Sequence, residues 1–90
     1  MKTIIKEEKD KVKVFLEGDL DTKNASIAEQ DFKPLMELKN KEIILDCTSL
    51  NYISSSGLRL YFNLLKSSET NGNSIILENV NENIKKVFLQ

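Results

Sequence analysis

Three consecutive hydroxyls, Ser54, Ser55 and Ser56, followed by Gly57 and then by Arg59, form the densest group of side chains able to do chemistry in this sequence. A serine can serve as a nucleophile or be modified itself. As a nucleophile it needs a base to take its proton, and the usual base is histidine. The chain has no histidine, and the serine run lacks the Gly-x-Ser-x-Gly frame of a nucleophile elbow. No enzymatic activity is expected. As an acceptor of modification the run is better placed, because it sits between an apolar stretch and a helical pattern. The first turn of a helix has free backbone N–H groups and the positive end of the helix dipole, which stabilise an attached oxyanion. Pattern alone leaves the simpler reading open, in which the serines cap the helix and face water.

Four other acidic or thiol positions bear on the chemistry. Asp19 and Asp21 follow an apolar alternation and suit either a turn and helix cap or a partner contact. Asp46 ends a short apolar run and is equally ambiguous. Cys47 is the single cysteine, which forbids an internal disulfide and, without histidine, a zinc site, so neither a metal nor another cofactor is expected. It reads as a small core hydrophobe.

The elements that must position these residues follow from periodicity. Residues 1–8 make a weak edge strand with Lys9-Asp10 as its turn. In 11–17, Val12, Val14 and Leu16 alternate with Lys11, Lys13, Phe15 and Glu17, a half-buried strand that Gly18-Asp19 is expected to break. Capping side chains at 21–24 and the capping-box spacing of Ser26 and Glu29 announce a helix. Its buried stripe is Ala25, Ala28, Phe32, Leu35 and Met36, and Pro34 is expected to kink or restart it near 31–33. Residues 42–47 form an apolar strand suited to a central position, followed by a short turn to the serines. A second helix, with Leu58, Tyr61, Phe62 and Leu65 as its stripe and Leu60 and Leu64 broadening it, closes at Gly72. Residues 73–78 form a strand with Ile75-Ile76-Leu77 at its buried centre. Asn81 caps a last helix bearing Ile84, Val87 and Phe88 on one face. The alternation implies an α/β fold, a small four-stranded mixed sheet with helices packed on one side.

A chain of 90 residues is expected to be one domain, 1–90. Its formal charge of −1 gives no electrostatic drive toward nucleic acid. No apolar run approaches the ~18 residues of a membrane span and no signal-peptide core is seen, so membrane insertion is not expected and the cytoplasm is the default location.

Residues 46–59, Asp-Cys-Thr-Ser-Leu-Asn-Tyr-Ile-Ser-Ser-Ser-Gly-Leu-Arg, resemble the signature of STAS domains of the anti-sigma-factor antagonist type: an apolar strand, Asp, a few small and apolar residues, then Asp-Ser-Ser-Gly-Leu. Gly18-Asp19-Leu20-Asp21 is similar to the Gly-x-Leu-Asp element after that family's second strand, and the element order agrees over nearly the whole chain. The resemblance implies a regulatory binding protein. In its unphosphorylated form it would bind an anti-sigma factor, a serine kinase of ATP-binding kinase-like fold, and phosphorylation would end that binding. Alignment back from Gly57 carries the phosphorylated serine to Ser55 and the partner surface to Asp19, Asp21, Ser54, Ser55, Ser56, Gly57 and Arg59. Ser54 stands where the family has Asp. Arg59 could pair with an acidic partner or with a phosphate on the neighbouring turn. The family commonly continues with a further strand and helix beyond the point where this sequence ends at Gln90, which implies a C-terminally shortened domain or a core completed by another chain, for instance in a homodimer. The alternative within the resemblance is a fixed STAS subunit of a membrane transporter or signalling assembly, without phosphorylation.

Overall fold

A computed structural model describes residues 1–88 as β1 (Lys2–Glu7), β2 (Lys11–Leu20), α1 (Thr22–Met36), β3 (Glu42–Ile53), α2 (Ser55–Asn71), β4 (Ser74–Glu78) and α3 (Glu82–Phe88). The expectation attached to the chain end at Gln90 lies outside the described residues. The strands form one sheet in the order β1-β2-β3-β4, with β1 antiparallel to β2 and the other neighbours parallel. This is the four-stranded mixed α/β architecture that the alternation of elements implies.

The alternation in β2 decides which face is covered. Val12, Val14 and Leu16 are all buried and join Ile43, Leu45 and Leu50 of β3 in one core. Ala25, Ala28, Phe32 and Leu35 of α1, Leu60 and Leu64 of α2, and Ile84 of α3 complete that core from the helical side. Each fully buried aliphatic side chain contributes about 1.5–3 kcal/mol relative to exposure, so this one layer dominates the stabilisation. On the other face, Phe15 lies beneath the ammonium groups of Lys6 and Lys13, 5.5 and 5.3 Å from its ring centre. Lys13 also approaches Asp46 at 3.8 Å and Glu78 at 3.5 Å. The aromatic exception in the polar half of β2 is thereby given cationic neighbours.

Several expectations change. Gly18-Asp19 does not break β2, because pairing with β3 continues through Gly18↔Leu50, Asp19↔Tyr52 and Leu20↔Ile53. The chain is accommodated by register shifts between Phe15 and Glu17 and between Gly18 and Asp19, with Gly18 at φ +103°. Correspondingly β3 does not stop at Cys47 but runs to Ile53. Asp46 supports the first irregularity: its Oδ1 accepts from the Thr48 N–H at 2.9 Å and from the Thr48 hydroxyl. Those two hydrogen bonds, in that case the side-chain one first, hold the Asp46 carboxyl below its usual pKa. Cys47 is buried, and desolvation, assisted by the neighbouring Asp46 charge, pushes its thiol up to about 11, which suits a packed side chain and not a reactive thiolate.

The cap of α1 is Asp21, whose Oδ1 accepts from the Asn24 N–H at 2.8 Å, so Ser26 and Glu29 lie inside the helix and form no capping box. Pro34 neither ends nor restarts α1, which continues to Met36; lying in the last turn, it has little helix left to interrupt. In α2 the buried residues are Gly57, Leu60, Leu64 and Ser68, while Phe62 is 52% exposed. Leu58, Tyr61 and Leu65 form a half-buried flank, and Tyr61 meets Phe88 of α3 edge-on at 5.0 Å. The apolar stripe is thus broader than one face needs, and the expected centre fell on its margin. β4 is an edge strand, which leaves Ile76 41% exposed where a buried centre was expected. Gly72 does close α2, in the left-handed conformation at φ +75°.

Candidate functional site

The parallel pairing of β2 and β3 brings their C-terminal ends together, so the segment that starts α1 and the segment that starts α2 share one edge of the sheet. Asp19 and Asp21 come from the first, and the serine run comes from the second. Leu20 joins them. Its carbonyl accepts the Ser54 N–H at 2.9 Å and the Ser54 hydroxyl at 3.1 Å. The same hydroxyl accepts the Gly57 N–H at 3.2 Å, and the Ser54 carbonyl accepts the Leu58 N–H at 2.9 Å. Ser54 is therefore the N-cap of α2 and a clamp onto the end of β2.

This clamp sorts the serines. Ser54 is 9% exposed and its hydroxyl is committed to Leu20 and Gly57. Ser55, the first helical residue, is exposed, and Ser56 is half-buried. Gly57 is buried: a β-carbon there would stand 2.8 Å from Leu20 Cγ and 2.9 Å from both Ile53 Cγ1 and the Leu20 carbonyl oxygen. The close approach that glycine permits is to the protein's own strand ends. Of the residues expected to meet a partner, Ser54 and Gly57 are thus turned inward, where capping and close packing engage them. Asp19, Ser55 and Arg59 are exposed, and Asp21 and Ser56 are half-buried.

The aspartates divide similarly. Asp21 is occupied as the α1 cap. The backbone carbonyl of Asp19 accepts from the Asn24 side-chain amide at 2.9 Å, and Asp19, which is exposed, is the register partner of Tyr52 in β3. Tyr52 is 53% exposed, an aromatic at the site's rim that the sequence pattern placed in a turn. Between the first halves of α1 and α2 lies a groove of about 240 Å³, lined by Thr22, Ser26 and Glu29 on one helix and Ser56, Arg59 and Asn63 on the other. Sequence spacing had found only the α2 half of it. Among the described residues no cluster of potential metal ligands occurs and no helix is long and apolar enough to cross a membrane.

The clamp makes a testable demand. Ser54→Ala removes the cap from the Gly57 N–H and one of the two donors to Leu20, and is expected to cost about 1–2 kcal/mol. For a domain of this size that lowers the melting temperature by roughly 4–8 °C per kcal/mol. Thermal unfolding followed by circular dichroism measures it; an unchanged midpoint would show that the clamp is ornamental to stability.

The family model for the STAS domain matches residues 3–90. The anti-sigma-B factor antagonist of Bacillus subtilis (strain 168) is 24% identical over 84 residues, covering 93% of this chain and 76% of that protein. A candidate anti-sigma factor antagonist of Thermotoga maritima superposes with a TM-score of 0.86 at 26% identity, covering 97% of this chain and 75% of that one. The Bacillus cell fate determinant SpoIIAA in its phosphorylated form superposes with a TM-score of 0.78 at 21% identity, over 98% of this chain and 81% of that one.

Proposed function

Because the chain belongs to the STAS domain family, we propose that it works as an anti-sigma-factor antagonist, a binding protein whose unphosphorylated form engages an anti-sigma factor of kinase-like ATP-binding fold and whose phosphorylation on Ser55 ends that engagement. The observation that carries this reading is the different treatment of neighbouring hydroxyls. Ser54 is consumed by the clamp, whereas Ser55 projects from the first position of the same locked turn into solvent. A phosphoserine brings about −1.5 to −2 charges at neutral pH. At the positive end of α2 that charge is tolerated by the fold, so its effect falls on whatever docks there.

The site's rim suits docking. Asp19, Tyr52, Ser55 and Arg59 are exposed at the junction of β2, β3 and α2, and Ile27 on α1 is 58% exposed. Aromatic, aliphatic and arginine side chains of this kind are common anchors of protein interfaces. Ser54 in place of the family's Asp keeps a side chain that caps helices well, so the local geometry does not depend on a carboxylate. In the modification the partner's ATP gives its γ-phosphoryl group to Ser55 Oγ, ADP leaves, and the hydroxyl proton is released. Ser55 is a substrate and the chain supplies no catalyst.

The reading is tested by incubating the protein with ATP and its cognate kinase-type anti-sigma factor and mapping the product by peptide mass spectrometry. One phosphate on Ser55, lost in Ser55→Ala, is expected. A phosphate on Ser56 would move the site by one residue, and an unmodified protein would favour a fixed STAS subunit of a larger assembly.

A further inference from the structure

Arg59 is the sole arginine of the chain, and it stands four residues after Ser55 on α2. Residues at this spacing lie one above the other on a helix surface, about 5–6 Å apart between their β-carbons. Arg59 is exposed, and among the described residues the ion pairs involve only Lys11 with Glu8 and Lys13 with Asp46 and Glu78. Its guanidinium is therefore uncommitted beside the proposed site of modification. The other charges near this end of the molecule include Asp19 in β2 and Asp21 after it, the amino terminus of Met1, which lies against Gly18, and Lys23 and Glu29 on α1. A phosphate on Ser55 would enter a neighbourhood already holding three carboxylates. On α2 itself, Arg59 is the cation within one turn of it.

We infer that Arg59 is the intramolecular counter-ion of a phosphate on Ser55, an inference that rests on the reading of Ser55 as the modified residue. The planar guanidinium can meet two phosphate oxygens at once, which a lysine cannot. The consequence is a switch with two parts. Modification adds an anion to the docking surface and at the same time withdraws that surface's arginine from any acidic group of the partner. The Ser54 clamp matters here, because it holds the first turn of α2 in place and so keeps Ser55 and Arg59 in helical register.

The full chain carrying phosphoserine at position 55, introduced during translation, allows the pairing to be read directly by ³¹P NMR pH titration. An adjacent guanidinium stabilises the phosphate dianion and lowers its second pKa, which is near 6 for a free phosphoserine. Arg59→Gln is expected to raise that apparent pKa by about half a unit or more relative to wild type, and Arg59→Lys by a smaller amount. Lys23→Gln is expected to leave it unchanged. Titration of Arg59→Gln identical to wild type overturns the pairing, as does an equal rise in Lys23→Gln, which would mean a diffuse field. These outcomes are separable from the switch itself: if phosphorylated and unmodified proteins bound the anti-sigma factor equally, the switch would fail while the Arg59-dependent titration stood.

Discussion

Gly57→Ala is expected to destabilise the protein by about 2–3 kcal/mol and to lower its melting temperature by ~10 °C or more, although an alanine is the better helix former. The added methyl group would lie under 3 Å from Leu20 Cγ, from Ile53 Cγ1 and from the Leu20 carbonyl oxygen. Two of these neighbours are side chains of the packed core, and the third is backbone already engaged by both donors of Ser54. None can retreat alone. Moving α2 away would lengthen the Ser54 hydrogen bonds, and moving the β2 end would disturb its pairing with β3. Helix propensity returns at most about 1 kcal/mol, less in a first turn, so the clash prevails. Calorimetry of the variant decides it, and a midpoint within a degree or two of wild type would mean that the strand ends yield more readily than their bonding implies.

A second large effect is expected on binding. Ser55→Asp should weaken association with the anti-sigma factor by at least a factor of about ten, which is ~1.4 kcal/mol, with little change in melting temperature. The side chain at this position is exposed and donates nothing to the core, and a carboxylate at the first position of a helix is electrostatically favourable to the fold. Ser55→Ala should keep both stability and affinity. Ser54→Asp is an informative control because its carboxylate would face the Leu20 carbonyl, to which the Ser54 hydroxyl now donates. Restoring the family's residue at that one position therefore need not restore the family's geometry, and its cost should appear in stability more than in affinity. Should Ser56→Asp alone impair binding, the register of the site is wrong by one.

The parts of this molecule that were legible in its sequence are those governed by local periodicity. Val12, Val14 and Leu16 announce the covered face of β2, and Gly72 and Asn81 mark a helix end and a helix start where the structure has them. What escaped depends on contacts distant in the chain. The extension of β3 past Cys47 follows from the Asp46–Thr48 hydrogen bonds and the shifted pairing with β2, neither of which changes the apolar pattern. The inward position of Ser54 depends on Leu20, 34 residues earlier. The α2 stripe was misplaced because Leu58, Tyr61, Phe62 and Leu65 are as apolar as the residues that face the core, and Tyr61 finds its partner in Phe88 of α3. At the site, the serine motif was visible in the sequence, but the division between a buried Ser54 and an exposed Ser55 was not. Nor was the groove, since half of its lining comes from α1.

The central claim is that one phosphate on Ser55 controls docking without altering the fold. Its most direct test is calorimetric titration of the cognate anti-sigma factor with unmodified protein and with protein phosphorylated on Ser55, alongside the melting temperatures of both forms. The account predicts that the phosphorylated form binds at least about ten times more weakly, a difference of ~1.4 kcal/mol, while the two forms melt within a few degrees of each other. Equal affinities would contradict it, and so would a loss of binding accompanied by loss of the folded state.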